Sequence, residues 1–308
     1  MISEAIRVSE YVEAPKFLSD LLLKEYGSEL TEKIIKGYNT KRITSFRVNT
    51  IKASDSLVES ILDSLGISYQ KYEAIPHAYL LRNNKASDLY DSDLVKSGKI
   101  YFQSLSSMLP PLFLNPLEGE TILDMAAAPG GKTTMLAAMT NNKAEITACE
   151  VNKIRFERMK HNLLVQGATK VFPMREDAKR LDDFFSFDKI LLDAPCSGAG
   201  TLDFNNPKDL KAFSYELIKN SAKLQEELLK KALRILKPNH EMIYSTCSIL
   251  PIENEDNVNK ILKQYNCKII PIQMDNLPLL PSKIEGTILV CPNEYYEGFF
   301  IAKIKKNK

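Results

Sequence analysis

Two short stretches, DAPCSG at residues 193–198 and STCS at 245–248, each place a cysteine just beyond an apolar run and beside small or turn-forming residues. The thiolate is the reactive form of cysteine, and a thiol at a strand end is expected to face a cleft and the amides of a helix N-terminus, which lower its pKa. Cys196 and Cys247 are therefore candidates for covalent chemistry. Cys149, Cys267 and Cys291 lack that setting and read as small buried hydrophobes.

A third stretch, AAAPGGKTT at 126–134, ends like a phosphate-binding P-loop. That motif needs a glycine where Ala126 stands, and Pro129 restricts a loop that would have to wind around phosphates. The neighbouring acids point to a different ligand. Asp124, Glu150, Asp177 and Asp193 end or follow successive apolar runs, and open parallel sheets bind ligands at such strand ends. Glu150 lies 19 residues after Gly131, near the offset at which these domains place an acid on ribose hydroxyls. S-adenosyl-L-methionine offers a carboxylate for helix-opening amides, an ammonium for Asp124, a ribose diol for Glu150 and an adenine amino group for Asp177. Any one of these acids alone reads equally well as a helix cap; their recurrence at successive strand ends favours the ligand.

Such residues need a scaffold that gathers strand ends on one edge. The chain has 308 residues, 44% of them hydrophobic, enough for one large domain and a smaller one. Before residue 100, PKFLSDLLLKEYG, SELTEKIIKGYN and DSLVESILDSLG have helical spacing, while ITSFRVNTI and AYLLR read as strands. Beyond it, TILDM, AEITACE, KVFPM, FDKILLDAP, EMIYSTCS and GFFIAKI alternate with helical segments. One of these is a long amphipathic helix carrying Leu217, Leu224, Leu228, Leu229, Ala232, Leu233 and Leu236, closed by Lys237 and Pro238. The expected fold is α/β: a doubly wound, mostly parallel, Rossmann-like sheet over 100–308, preceded by a small α+β domain over 1–99.

Composition excludes several classes. Five cysteines without a Cys-x-x-Cys pair, and only three histidines, argue against a disulfide framework or a metal site and for a reducing, cytoplasmic setting. No apolar run nears the roughly 20 residues that cross a bilayer, and the opening MISEAIRVSEYVEAPKF lacks the blocks of a signal peptide, so no membrane association is expected. A net charge of +2 announces no nucleic-acid partner, and any basic surface must be local; the KIKKNK tail reads first as solvated. No coiled-coil or symmetric motif asks for more than a monomer.

The chain resembles the Nol/Nop/Sun family of RNA 5-methylcytosine methyltransferases. The residues that carry the resemblance are FRVNT, QSLSSMLPPLFLNPLEGETILDMAAAPGGKT, DAPCSGAGT, YSTCSILPIENE and GFFIAKI, in order and spacing. The family resemblance implies an S-adenosyl-L-methionine-dependent enzyme acting on RNA, ribosomal or transfer. It assigns Cys247 as the nucleophile on cytosine carbon 6, Cys196 to release, Asp193 to the cytosine ring edge and Lys132 to positioning the base. It implies donor contacts from Ala126, Ala127, Ala128, Pro129, Gly130, Gly131 and Lys132, with Asp124, Asp193, Glu150, Arg155 and Asp177. Arg47 and Asn49 match a motif whose role is expected at the domain junction, and the first domain is expected to orient RNA. The chain departs from the family at LDFNNP, 202–207, where Asp203 replaces the basic residues that would hold phosphates, and at Ser104, where an acid is frequent. The alternatives are a methyltransferase of another substrate and a noncatalytic RNA-binding scaffold.

Overall fold

A computed structural model describes residues 15–308, and of Pro207, Lys208 and Asp209 the backbone alone. The expectation for the opening residues 1–14 lies outside the described residues.

The N-terminal part begins with α1 (Lys16–Asn39), where the two expected helical segments join across a kink at Gly27. β1 (Ser45–Val48), α2 (Asp55–Ser64), β2 (Tyr69–Lys71), β3 (Ala78–Leu81), α3 (Asp93–Lys96) and β4 (Ile100–Phe102) follow. The strands form an antiparallel sheet in the order β2-β3-β1-β4. Phe46, Val48, Val58, Leu62, Tyr79 and Ile100 make its core. The small sheet thus closes at Phe102, whereas α1 sends Leu18, Leu22, Ile34 and Tyr38 into the core of the larger unit.

That unit comprises α4 (Leu105–Leu114), β5 (Thr121–Asp124), α5 (Gly131–Met139), β6 (Glu145–Cys149), α6 (Lys153–Gln166), β7 (Val171–Met174) and β8 (Phe187–Asp193). It continues through α7 (Pro207–Ala212), α8 (Tyr215–Ile235), β9 (Leu236–Thr246), α9 (Glu255–Gln264), β10 (Cys267–Ile269), β11 (Ile288–Val290) and β12 (Phe299–Lys306). The sheet runs β10-β12-β9-β8-β5-β6-β7, with β11 paired to β12. From β9 to β7 every pairing is parallel, and β12 joins β9 antiparallel. The doubly wound, mostly parallel sheet expected from the sequence is observed.

Alternation along each strand feeds two cores. Ile190, Leu192, Met242, Tyr244, Phe300 and Ala302 face α1, α8 and α9, while Leu191, Ile243 and Ile301 face α4, α5 and α6. On α8 the buried stripe runs through Ile218, Ser221, Ala222, Gln225, Leu228 and Leu229; Leu217, expected on that stripe, lies at its flank in the first turn and is 37% exposed. The chain passes from α8 straight into β9 at Leu236, so Lys237 and Pro238 open a strand instead of a loop.

The α1 helix also reaches the cysteine turns. The Tyr38 hydroxyl donates to the carbonyl of Ala199 and the Tyr26 hydroxyl to that of Ile249. Tyr38→Phe would leave the Ala199 carbonyl without its partner. The expected loss is about 1–2 kcal/mol of unfolding free energy, measured by urea titration.

Candidate active site

The loop between β5 and α5 is shaped by two glycines. Gly130 has φ +102°, a conformation side chains rarely adopt, and a Cβ on Gly131 would sit 2.9 Å from the Tyr101 ring. The loop is braced from α6: Arg155 donates to the Ala128 carbonyl at 2.7 Å and Asn162 to that of Pro129 at 2.8 Å. From β1, Arg47 donates to Gln103 Oε1 (2.9 Å), the Gly131 carbonyl (3.1 Å) and Thr134 Oγ1 (2.7 Å). Asn49 donates to the carbonyls of Gly98 and Gln166. Arg47 and Asn49 therefore join the small sheet to the larger unit. Arg47 is 2% exposed, and among the described residues no carboxylate pairs with it; burial draws its pKa down to about 10, which still leaves it charged.

A cavity of about 230 Å³ opens against this loop. Asp124, Ala126, Ala127, Ala128, Pro129, Gly131, Lys132 and Asp193 line it from the larger unit, and Tyr101, Gln103 and Ser107 lie among its other walls. Asp124 is 1% exposed; Oδ2 accepts from Thr133 Oγ1 at 2.7 Å, while Oδ1 is buried without a partner among the described residues. Burial pushes its carboxyl up to about 6, against the Thr133 hydrogen bond and with the Asp193 charge adding to the rise. A buried, unpaired carboxylate oxygen facing a cavity is a place for a cationic ligand group, and the ammonium of an amino acid fits it.

In the cavity lining Lys132 Nζ lies 2.7 Å from Asp193 Oδ2 and donates to Ser107 Oγ at 2.5 Å, with the Phe299 ring centroid 5.8 Å away. Burial alone would pull the Lys132 pKa down, but the Asp193 pair outweighs it, and the ammonium is held above its ordinary value. Asp193 Oδ1 accepts from Ser245 Oγ at 2.8 Å.

Cys196 and Cys247 come together: their sulfurs lie 2.8 Å apart, both half-buried, both free thiols. The Gly200 amide donates to the Cys247 carbonyl at 2.8 Å, and the turns pack so closely that a Cβ on Gly200 would strike the Gly298 carbonyl at 1.9 Å. The expected lowering of thiol pKa by helix amides does not hold for Cys196. Its thiol is pushed well above the ordinary value by the hydrogen bond to Cys247, then by burial and the nearby Glu253. The physical reason is local: the residues after Cys196 and Cys247 form turns, and the next helices begin only at Pro207 and Glu255.

The remaining candidates lie beside this centre. Glu150, 3% exposed, accepts from the Asn152 amide and sits 3.3 Å from Arg155, which links it to the β5–α5 loop, yet neither lines the cavity. Asp177 accepts from the Lys179 amide at 3.0 Å, capping the short turn Ala178–Arg180, and borders a separate cleft with Arg180 and Glu227. Asp203 binds Asn205, and Arg42 from the α1–β1 connection reaches the carbonyls of Thr201 and Leu202, bringing one basic side chain to that turn. Ser104 caps α4 and donates to Glu297 at 2.8 Å, so an acid faces this position from the chain's far end. Gln103, Ser107, Ser245 and Glu253 all lie within the motifs quoted above, yet the sequence assigns none of them a role, because a polar residue signals little until its partners are known. Among the described residues no cluster of His, Cys, Asp and Glu is arranged to hold a metal ion, and no helix is long and apolar enough to cross a membrane.

A parallel sheet with a glycine-turned loop after β5 and acids at its strand ends defines the Rossmann-like methyltransferase class. The family model described as 16S rRNA methyltransferase RsmB/F matches residues 111–305, and the chain belongs to that family. This is the relationship that the cysteine motifs resembled. The chain is 30% identical to a tRNA (cytosine(49)-C(5))-methyltransferase of Pyrococcus abyssi, covering 96% of this chain and 99% of that one. It is 34% identical to ribosomal RNA small subunit methyltransferase F of Shewanella loihica over 85% of its own length, and spans only 56% of that relative. A solved methyltransferase homolog from Pyrococcus horikoshii superposes with a TM-score of 0.84 at 31% identity, covering 96% of each chain.

Asp124 yields a stability test. Its folded pKa of about 6 exceeds the unfolded value, so its favourable contribution is present at low pH and is lost as pH rises through about 6. In the ligand-free protein, Asp124→Asn is expected to be more stable than the wild type at neutral pH, by up to roughly 3 kcal/mol, with the gap closing near pH 4; melting temperature against pH measures it.

Proposed function

We propose that the chain is an S-adenosyl-L-methionine-dependent RNA (cytosine-5) methyltransferase that acts on ribosomal or transfer RNA through a transient covalent bond from Cys247. The observation that carries the reading is the facing pair of Cys196 and Cys247 beside the Asp193–Lys132 ion pair at the edge of the loop cavity. The family and the names of its similar proteins support RNA as the substrate.

S-adenosyl-L-methionine supplies an electrophilic methyl group. Asp124 Oδ1 would hold the ammonium of its methionine part, the loop from Ala126 to Gly131 would follow that part's backbone, and Glu150, oriented by Arg155, would meet the ribose, with Asp177 toward the adenine. Cytosine carbon 5 is too weak a nucleophile to take the methyl group unaided. Addition of the Cys247 thiolate to carbon 6 would form a sulfur–carbon bond and move an electron pair to carbon 5, making that carbon nucleophilic enough to take the donor's methyl group as the sulfonium–methyl bond breaks and the neutral thioether leaves. Asp193, held by Lys132 and Ser245, retains free lone pairs to accept from the cytosine amino group and from the ring nitrogen once that is protonated, so it favours ring-nitrogen protonation as the thiolate adds. Loss of the carbon 5 proton to solvent returns the electron pair to the ring and breaks the sulfur–carbon bond. The Cys196 thiol, in contact with Cys247, donates a hydrogen bond to the departing thiolate. The target base must be unpaired or flipped out, at a cost of a few kcal/mol that contacts from the first domain and the cleft would offset.

Purified protein incubated with the donor and with ribosomal or transfer RNA should yield 5-methylcytidine, detected by nucleoside mass spectrometry; none from either RNA would refute the reading. Cys247→Ala should abolish methyl transfer while leaving donor affinity intact by calorimetry. Cys196→Ala should accumulate a protein–RNA adduct that survives denaturing electrophoresis, because attack persists while release slows. Donor affinity should rise as pH passes upward through about 6, since the ammonium requires ionised Asp124, and Asp124→Asn should flatten that dependence.

A further inference from the structure

Behind the two cysteines lies a carboxylate to which neither the sequence motifs nor the reaction above gives a role. Glu253, fully buried, precedes α9. Its Oε1 accepts from the Ser197 amide at 2.8 Å and from Gln225 Nε2 at 3.1 Å. Its Oε2 accepts from Ser197 Oγ at 2.5 Å and from Ser248 Oγ at 2.6 Å. Ser197 and Ser248 are the residues that directly follow Cys196 and Cys247. Among the described residues no lysine or arginine pairs with Glu253, so a buried carboxylate is satisfied by neutral donors that belong mainly to the two cysteine turns. Without a cation to cancel it, a charge in such a place acts strongly on its neighbours.

We infer that Glu253 is the positioning residue of the cysteine pair: it ties the two turns into one unit that keeps the sulfurs in contact, and its charge holds Cys196 as the proton-bearing member opposite Cys247. The neighbouring Asn254 braces the same unit, donating to the Ser248 carbonyl at 2.9 Å and accepting from Thr246 Oγ1 at 2.5 Å. The titratable groups that bear on Cys196 are Cys247, Glu253 and Tyr244, whose hydroxyl donates to the Glu253 carbonyl; Lys132 bears on Cys247. The Glu253 carboxylate bears on Cys196 and disfavours its thiolate, whereas the Lys132 ammonium bears on Cys247, so the two sulfurs sit in unequal surroundings. Attack by one and protonated support from the other follow from that inequality.

The inference rests on the roles proposed for the cysteines, but its test needs neither RNA nor donor. In a Cys247→Ala background, iodoacetamide labelling of Cys196, quantified by peptide mass spectrometry across the alkaline range, gives the pH midpoint of that thiol. Adding Glu253→Gln is expected to lower the midpoint and to speed labelling below it roughly tenfold. Loosened turns would relieve burial and lower the midpoint as well, so Glu253→Asp, which keeps the charge while weakening the same contacts, is measured alongside; a midpoint unmoved by Gln, or lowered as far by Asp as by Gln, overturns the inference. Should Glu253→Gln fail to fold, Ser248→Ala in the otherwise native chain decides the matter. Diamide, which takes two hydrogens from a pair of thiols as they become a disulfide, is expected to join Cys196 to Cys247 several-fold more slowly in that variant. An unchanged rate overturns the inference. A chain that methylates no RNA yet shows the shifted midpoint would lose the proposed function and keep the carboxylate's role.

Discussion

The parallel pairing of β8 with β9 sets everything else. In its register Asp193 stands opposite Ser245, so both strands finish level and the turns beyond them start from the same height. Cys196 lies three residues past Asp193 and Cys247 two past Ser245, which is how residues 51 apart in the chain bring their sulfurs into contact. A one-residue slip would turn Asp193 or Ser245 to the opposite face of the sheet and separate the carboxylate from its hydroxyl. The register is held by the alternation of Ile190, Leu191 and Leu192 against Met242, Ile243 and Tyr244, each face buried under its own layer of helices.

Around that register the molecule keeps several charges out of water. Among the described residues Asp124 retains an unpaired oxygen, Arg47 has no acidic partner and Glu253 no basic one, and Lys132 with Asp193 forms a partly buried pair. Apolar residues of similar volume would pack more favourably at these positions, since buried ions forfeit hydration that their partners only partly restore. Each of these groups borders the cavity, supports its loop or supports the cysteine turns. Local cost concentrated at one edge of a sheet is what a functional site looks like in physical terms.

The small N-terminal sheet and α1 are structural parts of this site. Arg47 reaches from β1 to the loop that opens α5, Tyr101 and Gln103 wall the cavity, and Tyr26, Tyr38 and Arg42 hold the backbones of the cysteine turns. A displacement of the small sheet would therefore be felt at the β5–α5 loop, and one of α1 at the thiols, through these hydrogen bonds.

The sequence by itself determined the sheet and the edge on which chemistry collects. Short continuous apolar runs marked the strands, the 3.6-residue period marked α8, and strand-end positions singled out Asp124, Asp193, Cys196 and Cys247, because apolar runs and strand termini are local properties. Only the tertiary structure decided which of those groups meet. Asp177 caps a turn at a separate cleft while Lys132 pairs with Asp193, and the Cys196 thiol is raised, not lowered, because its neighbours are a second sulfur and a buried carboxylate. Ser107, Ser245 and Glu253 acquired meaning in the same way, since a hydrogen bond or a Coulombic shift depends on distances of a few ångströms between residues that the sequence holds far apart.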